Sequence, residues 1–148
     1  HHTGPRQSPR YALADFAKQI AAIEAKQQDP VIKTGDLSCQ RDYCDVRDVV
    51  EAYWLLLNNP NTRNQVYNVC SGQSLSMEKI LQEMLNLSHV KIKVEQDPSK
   101  MRSHKEVNII CGDTKKIEKT IGWKRQISLP IMLSDLLNYW RTPGDKAK

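Results

Sequence analysis

Glycine is scarce in this chain, six among 148 residues, and none of the six belongs to a GxGxxG or GxxxxGK[ST] pattern. Without such a loop there is no backbone cradle for the phosphates of a dinucleotide or mononucleotide. No tyrosine is followed four residues later by lysine, and no local motif supports a Ser/His/Asp triad. No residue is therefore assigned a catalytic role. Every apolar run falls short of a bilayer span, and His1-His2-Thr3-Gly4-Pro5-Arg6 carries no signal-peptide core, so the expectation is a cytoplasmic protein without a membrane partner. The four cysteines, Cys39, Cys44, Cys70 and Cys111, form no CxxC and stand apart from the histidines. That spacing suits reduced, mostly buried thiols better than a disulfide or a metal site. Lys and Arg outnumber Asp and Glu by 22 to 17, but they are dispersed and not interleaved with aromatics. A small anion thus fits the charge better than nucleic acid does.

What is present is ordinary for one globular unit: the length supports a single domain over residues 1–148, with a core of its own. Leu13, Phe16, Ala17, Ile20 and Ile23 recur at helical spacing up to about Lys26, ahead of Asp29-Pro30. Strands are expected at Val31–Lys33 and Arg41–Cys44. Asp45 then caps a helix from Val46 to Leu57, predicted to bury Val49, Val50, Tyr53, Trp54 and Leu57 before Asn58-Asn59-Pro60 breaks it. Gln65–Val69 reads as a strand, Ser76 as the cap of a helix through Leu85, and Val90–Val94 and Val107–Ile110 as further strands. Asp113 is expected to cap a short helix ended by Gly122, and Ser128 with Pro130 starts a last one, with Leu129, Met132, Leu133, Leu136, Leu137 and Trp140 on one face. Short strands interleaved with about five helices indicate an α/β fold.

Three stretches could carry chemistry. Arg41, in a strand that leads into the helix start at Asp45, can offer a planar fork to a diphosphate; it can equally pair with Asp42 or Asp36 on a wet surface. The loop Asp97 to Glu106 gathers Lys100, Arg102, His104 and Lys105 and is either an anion site or a solvated charge cluster. Gly4-Pro5-Arg6 with Ser8-Pro9-Arg10 makes a rigid, basic entry to the first helix, an anion clamp or merely a turn. His89 and His104 read as surface residues.

The motifs His2-Thr3-Gly4-Pro5-Arg6-Gln7, Gly35-Asp36-Leu37, Arg41-Asp42-Tyr43, Asp45-Val46-Arg47-Asp48-Val49-Val50, Tyr67-Asn68-Val69-Cys70-Ser71-Gly72 and Gly122-Trp123-Lys124 occur in a familiar order. In combination they resemble the C-terminal, substrate-binding half of extended short-chain dehydrogenase/reductases, nearest the GDP-mannose 4,6-dehydratases and GDP-4-keto-6-deoxymannose reductases. The resemblance implies NAD or NADP in the intact enzyme, held by a glycine-rich Rossmann half that this chain lacks, with none bound by this chain alone. It implies a nucleotide-diphosphate sugar as partner, the missing Rossmann half as another, and a possible homodimer. Arg41 and Arg102 would grip the diphosphate and Glu106 the ribose; Arg10 and Tyr11 would line the nucleotide, Pro30 to Lys33 would flank the base, and Asn68 would sit near the phosphates. His1 stands where the family commonly has Asn, at a cofactor-side contact, and Arg102-Ser103-His104-Lys105-Glu106 replaces the usual Arg-Pro-x-Asp. Two alternatives stay open: the C-terminal domain of a UDP- or dTDP-sugar epimerase or dehydratase, and a non-catalytic nucleotide-sugar-binding module.

Overall fold

The computed structural model describes residues 1–101 and 107–142. The helices expected from periodicity form as α1 (Ala12–Glu24), α2 (Val46–Leu57), α3 (Met77–Leu85), α4 (Lys115–Ile121) and α5 (Leu129–Arg141). Their ends follow local chemistry. Asp45 accepts from Arg47 N at 2.8 Å and Ser76 Oγ from Lys79 N at 3.1 Å, each satisfying an otherwise orphaned first-turn amide. Gly122 closes α4 at φ 69°, a conformation that glycine adopts without a Cβ penalty. Asp113 caps less directly than expected: Thr114 takes the N-cap position, while the Asp113 carboxylate accepts from Lys115 N.

The strands are short: β1 (His2–Thr3), β2 (Val31–Thr34), β3 (Gln40–Asp42), β4 (Cys44–Asp45), β5 (Ser74–Ser76) and β6 (Lys93–Gln96). Among the described residues they form three two-stranded sheets, β1 with β4 and β2 with β6 in parallel, β3 with β5 antiparallel. The α/β expectation therefore holds, with no sheet large enough to organise the molecule. That task falls to the helices. Leu13, Phe16 and Ile20 of α1 interlock with Ile80, Leu81 and Met84 of α3 and with Met132, Leu133, Leu136 and Leu137 of α5. Truncating one such side chain to alanine costs about 2–5 kcal/mol. A smaller cluster joins Val49 and Ala52 of α2 to Ile117 of α4 and to Trp123.

Four expectations are corrected. In α2, Val49 is buried, but Val50, Tyr53, Trp54 and Leu57 lie on the exposed face, because the described chain covers only the side turned towards Trp123. Gln65–Val69 is irregular, with no strand among the described residues to pair its backbone; Tyr67 and Val69 pack against the Trp123 cluster instead. The strand expected at Val90–Val94 starts at Lys93, whose amide donates to Pro30 O at 2.9 Å and so sets its register against β2. Val107–Ile110 contributes a single parallel bridge, Gln40 with Ile109, fixed by Gln40 N donating to Asn108 O and Ile110 N to Gln40 O. Three of the cysteines are buried and Cys111 is exposed.

Candidate functional site

Where α1 begins, the chain encloses a cleft of about 1050 Å³, walled by His1 and His2, by Pro9 to Leu13, by Gly35 to Leu37, and by Arg41, Tyr43, Lys100, Met101 and Asn108. Tyr11, the N-cap of α1, makes no side-chain hydrogen bond to the helix. The first amides of a 13-residue helix, those of Ala12 and Leu13 in the cleft wall, are thus left without a cap, at the end where the helix dipole is positive. Such an end attracts anions.

Three cations surround it. Arg41 is 7% exposed, and its Nη1 donates to Gln40 O at 2.8 Å and Val107 O at 2.9 Å, which pins the guanidinium. The wet-surface alternative for Arg41 is thereby corrected. The Asp42 carboxylate is taken up by Ser71, Gly72 and Gly112, and Asp36 accepts from Ser38 N. The backbone hydrogen bond from Ser38 holds the Asp36 carboxyl below its ordinary range. Arg10 is exposed at the rim, and among the described residues its guanidinium has no hydrogen-bond or ion-pair partner. Lys100 Nζ meets Asp15 of α1 at 2.5 Å, which draws the turn after β6 against the helix start. Gly35 permits this closure: a Cβ there would lie 2.6 Å from Lys100 O.

The residues singled out from the sequence divide accordingly. Arg10, Tyr11, Arg41 and His1 come together in the cleft, with the His1 and Tyr43 rings 5.5 Å apart. Pro30, Lys33 and Asn68 are exposed and do not line it. Lys33 Nζ reaches Glu95 instead, at 2.6 Å. Arg102, His104 and Glu106 lie outside the described residues. Lys100 and Met101 belong to the basic loop already noted and Gln7 to the His2–Gln7 motif, whereas Asn108 and Asp15 enter the wall with no sequence motif to announce them.

Among the described residues no group of three His, Cys, Asp or Glu could hold a metal ion, and no helix is long and apolar enough to cross a membrane. The strand-to-helix junctions β4–α2 and β5–α3 are closed by the side chains of Asp45 and Ser76. Neither offers the open glycine turn that a dinucleotide pyrophosphate needs, and the carboxylate of Asp45 would repel it.

The model of the GDP-mannose 4,6 dehydratase family matches residues 1–136. The chain belongs to the GDP-mannose 4,6 dehydratase family. Within the wider extended short-chain dehydrogenase/reductase group, this family member is 32% identical over 142 residues to GDP-6-deoxy-D-mannose reductase of Pseudomonas aeruginosa, covering 96% of this chain and 46% of that protein. It is 33% identical over 114 residues to UDP-arabinose 4-epimerase 1 of Arabidopsis thaliana, covering 76% of this chain and 26% of the relative. The solved structure of RMD from Pseudomonas aeruginosa complexed with NADPH superposes with a TM-score of 0.88 at 31% identity, over 95% of this chain and 46% of that one. The chain spans less than half the length of these relatives and corresponds to their C-terminal part. The fold class and the nucleotide-sugar family read from the sequence both stand.

Proposed function

We propose that this chain is the nucleotide-sugar-binding lobe of an NAD(P)-dependent dehydratase or reductase of the GDP-mannose branch. The reading rests on one observation above all: an uncapped helix start, a buried and pinned Arg41 and an exposed Arg10 converge on one cleft. A diphosphate is a bidentate, doubly charged acceptor that suits two guanidinium forks and a row of free amides. Tyr11, 61% exposed at the same rim, gives a flat apolar face on which a base can stack.

In this reading the lobe binds and orients the diphosphate and the base, and the cofactor supplies hydride exchange from the remainder of the enzyme. The lobe alone turns over no substrate; the intact enzyme is a cytoplasmic homodimer. The similarity to a UDP-arabinose 4-epimerase keeps a uridine sugar as the second reading.

Titration of the chain with GDP-mannose and with UDP-glucose, followed by backbone amide chemical shifts, tests this. Shifts at Tyr11 to Leu13 and at Leu37 are expected, larger with the guanosine ligand. Arg10→Ala removes one charge-assisted partner from an exposed position. It should weaken binding by about 10- to 100-fold, or roughly 1.5–3 kcal/mol. An Arg10→Ala protein that responds like the unaltered chain refutes the assignment.

A further inference from the structure

The stretch Lys91-Ile92-Lys93-Val94-Glu95-Gln96-Asp97, built around β6, carries its charge antisymmetrically. Lysines occupy its first half, acids its second, and uncharged residues alternate with them. Successive strand residues point to opposite faces, so Lys93 and Glu95 share one face, with Lys91 and Asp97 next on that side in the same alternation. Every residue of β6 is exposed, and among the described residues β2 is its one neighbour. The outer edge of β6 is open.

Hydrogen bonds fix which groups face that edge. Lys93 N donates to Pro30 O at 2.9 Å and Asp97 N to Thr34 O at 2.8 Å. Alternate residues from Lys93 to Asp97 are therefore turned to β2, in the parallel register that sets Lys93 opposite Val31 and Glu95 opposite Lys33. The N–H and C=O groups of Val94 and Gln96 point the other way. A row of such groups is a template for a further strand.

Lysine on a strand edge ordinarily repels a newcomer. One arrangement reverses that effect. Laid antiparallel about a two-fold axis at Val94, a second copy sets its Glu95 against Lys93 and its Asp97 against Lys91. Val94 then meets Val94, and Gln96 meets Ile92, which are the positions whose backbone groups face outward. An axis at Ile92 would oppose Lys91 to Lys93, and one at Gln96 would oppose Glu95 to Asp97; like charges directly opposite are destabilising. Charge and hydrogen-bond alternation thus select the same register. The half-exposed ion pair between Lys33 and Glu95 is compatible with it, since a carboxylate can accept from two cations.

We propose that the outer edge of β6 is a self-association surface. Its occupant is β6 of a second copy of this chain, antiparallel and centred on Val94, so that two parallel pairs join into one continuous sheet. The contact is a short strand pair flanked by exposed charges, hence weak and salt-sensitive. Residues 91–97 do not line the cleft, so the inference goes beyond the nucleotide-sugar reading and is tested independently of it.

Sedimentation velocity over a series of concentrations, at low and at high salt, provides the test. Dimers should grow with concentration and recede with salt. Val94→Pro removes the central N–H at a position where an edge strand tolerates proline; it should abolish association and leave the melting temperature nearly unchanged. Lys93→Glu and Glu95→Lys should each weaken self-association by about ten-fold or more, and an equimolar mixture of the two variants should recover it, because both 93–95 pairs are again opposite in sign. The chain carrying both substitutions should dimerise by itself. A folding fault in either variant cannot imitate that recovery. The proposal is overturned by a chain that stays monomeric at every concentration, or by association that persists in Val94→Pro, since the contact would then lie on another surface. A mixture that associates no better than each variant alone refutes the register.

Discussion

Asp42→Asn changes one atom in the residue next to Arg41, and its effect can be worked from the hydrogen bonds. The Asp42 side chain is buried. Oδ1 accepts from Ser71 N at 2.7 Å and Ser71 Oγ at 2.6 Å, and Oδ2 from Gly72 N and Gly112 N, both at 3.0 Å. An asparagine has one oxygen to offer. Turned so that its NH₂ faces the glycines, it orphans two backbone amides. Turned the other way, it can donate to Ser71 Oγ, which also reaches Gln73 O, and only Ser71 N is left without an acceptor. The second arrangement should win. It still leaves one part-buried amide unpaired, about 1–3 kcal/mol, and reduces two charge-assisted bonds to neutral ones, about 1 kcal/mol each. A loss of about 3–5 kcal/mol is expected, a large share of a typical domain's stability. Urea denaturation followed by the fluorescence of buried Trp123 and Trp140 measures it. In variants that remain folded, GDP-mannose binding should weaken as well, because β3 is tied through Asp42 to the Gly72 and Gly112 turns. A loss below about 1 kcal/mol would refute the view of Asp42 as the anchor of this strand.

Glu24 accepts two bonds from Arg141 and one from Ser88, all at 2.7 Å, and the Arg141 hydrogen bond in particular holds its pKa below the ordinary 4.5. The folded state therefore binds that proton more weakly than the unfolded chain. Its stabilisation is complete above the ordinary value and disappears as pH falls through the lower folded one. Glu24→Gln should cost about 1 kcal/mol at neutral pH, and the difference in thermal unfolding should close in acid; a gap that persists there would contradict the assignment. Native thiol labelling with iodoacetamide should modify Cys111 alone. Burial pushes the Cys44 thiol up to about 12, and Cys39 and Cys70 are also enclosed. Mass spectrometry showing Cys44 alkylated in the folded protein would count against this packing.

The helices were legible chiefly from period: a capping side chain agrees with it at α2 (Asp45) and α3 (Ser76), Pro130 marks the start of α5, and α1 shows in its apolar spacing alone. The strands were less so. β1 and β5 span two and three residues, too few for alternation to register, and Gln65–Val69 had strand propensity without a partner. Periodicity located α2 but could not say which of its two apolar stripes is covered within this chain. At the cleft, Arg41 and Arg10 could be picked out as a strand arginine near a helix start and a basic helix entry. Asn108 and Asp15 could not, since the fold brings them to the wall from elements that carry no motif.

The first and last helices of the described chain, α1 and α5, pack directly on one another, joined at the rim by Glu24 and Arg141. During synthesis on the ribosome, α1 emerges with its apolar stripe bare and must wait for the whole intervening chain before its main neighbour exists. A nascent chain stalled before Leu129 would hold half a core, with Leu13, Phe16 and Ile20 available to chaperones or to aggregation. Closure of the two ends is then the late event that converts a set of marginal two-stranded pairings into a cooperative unit.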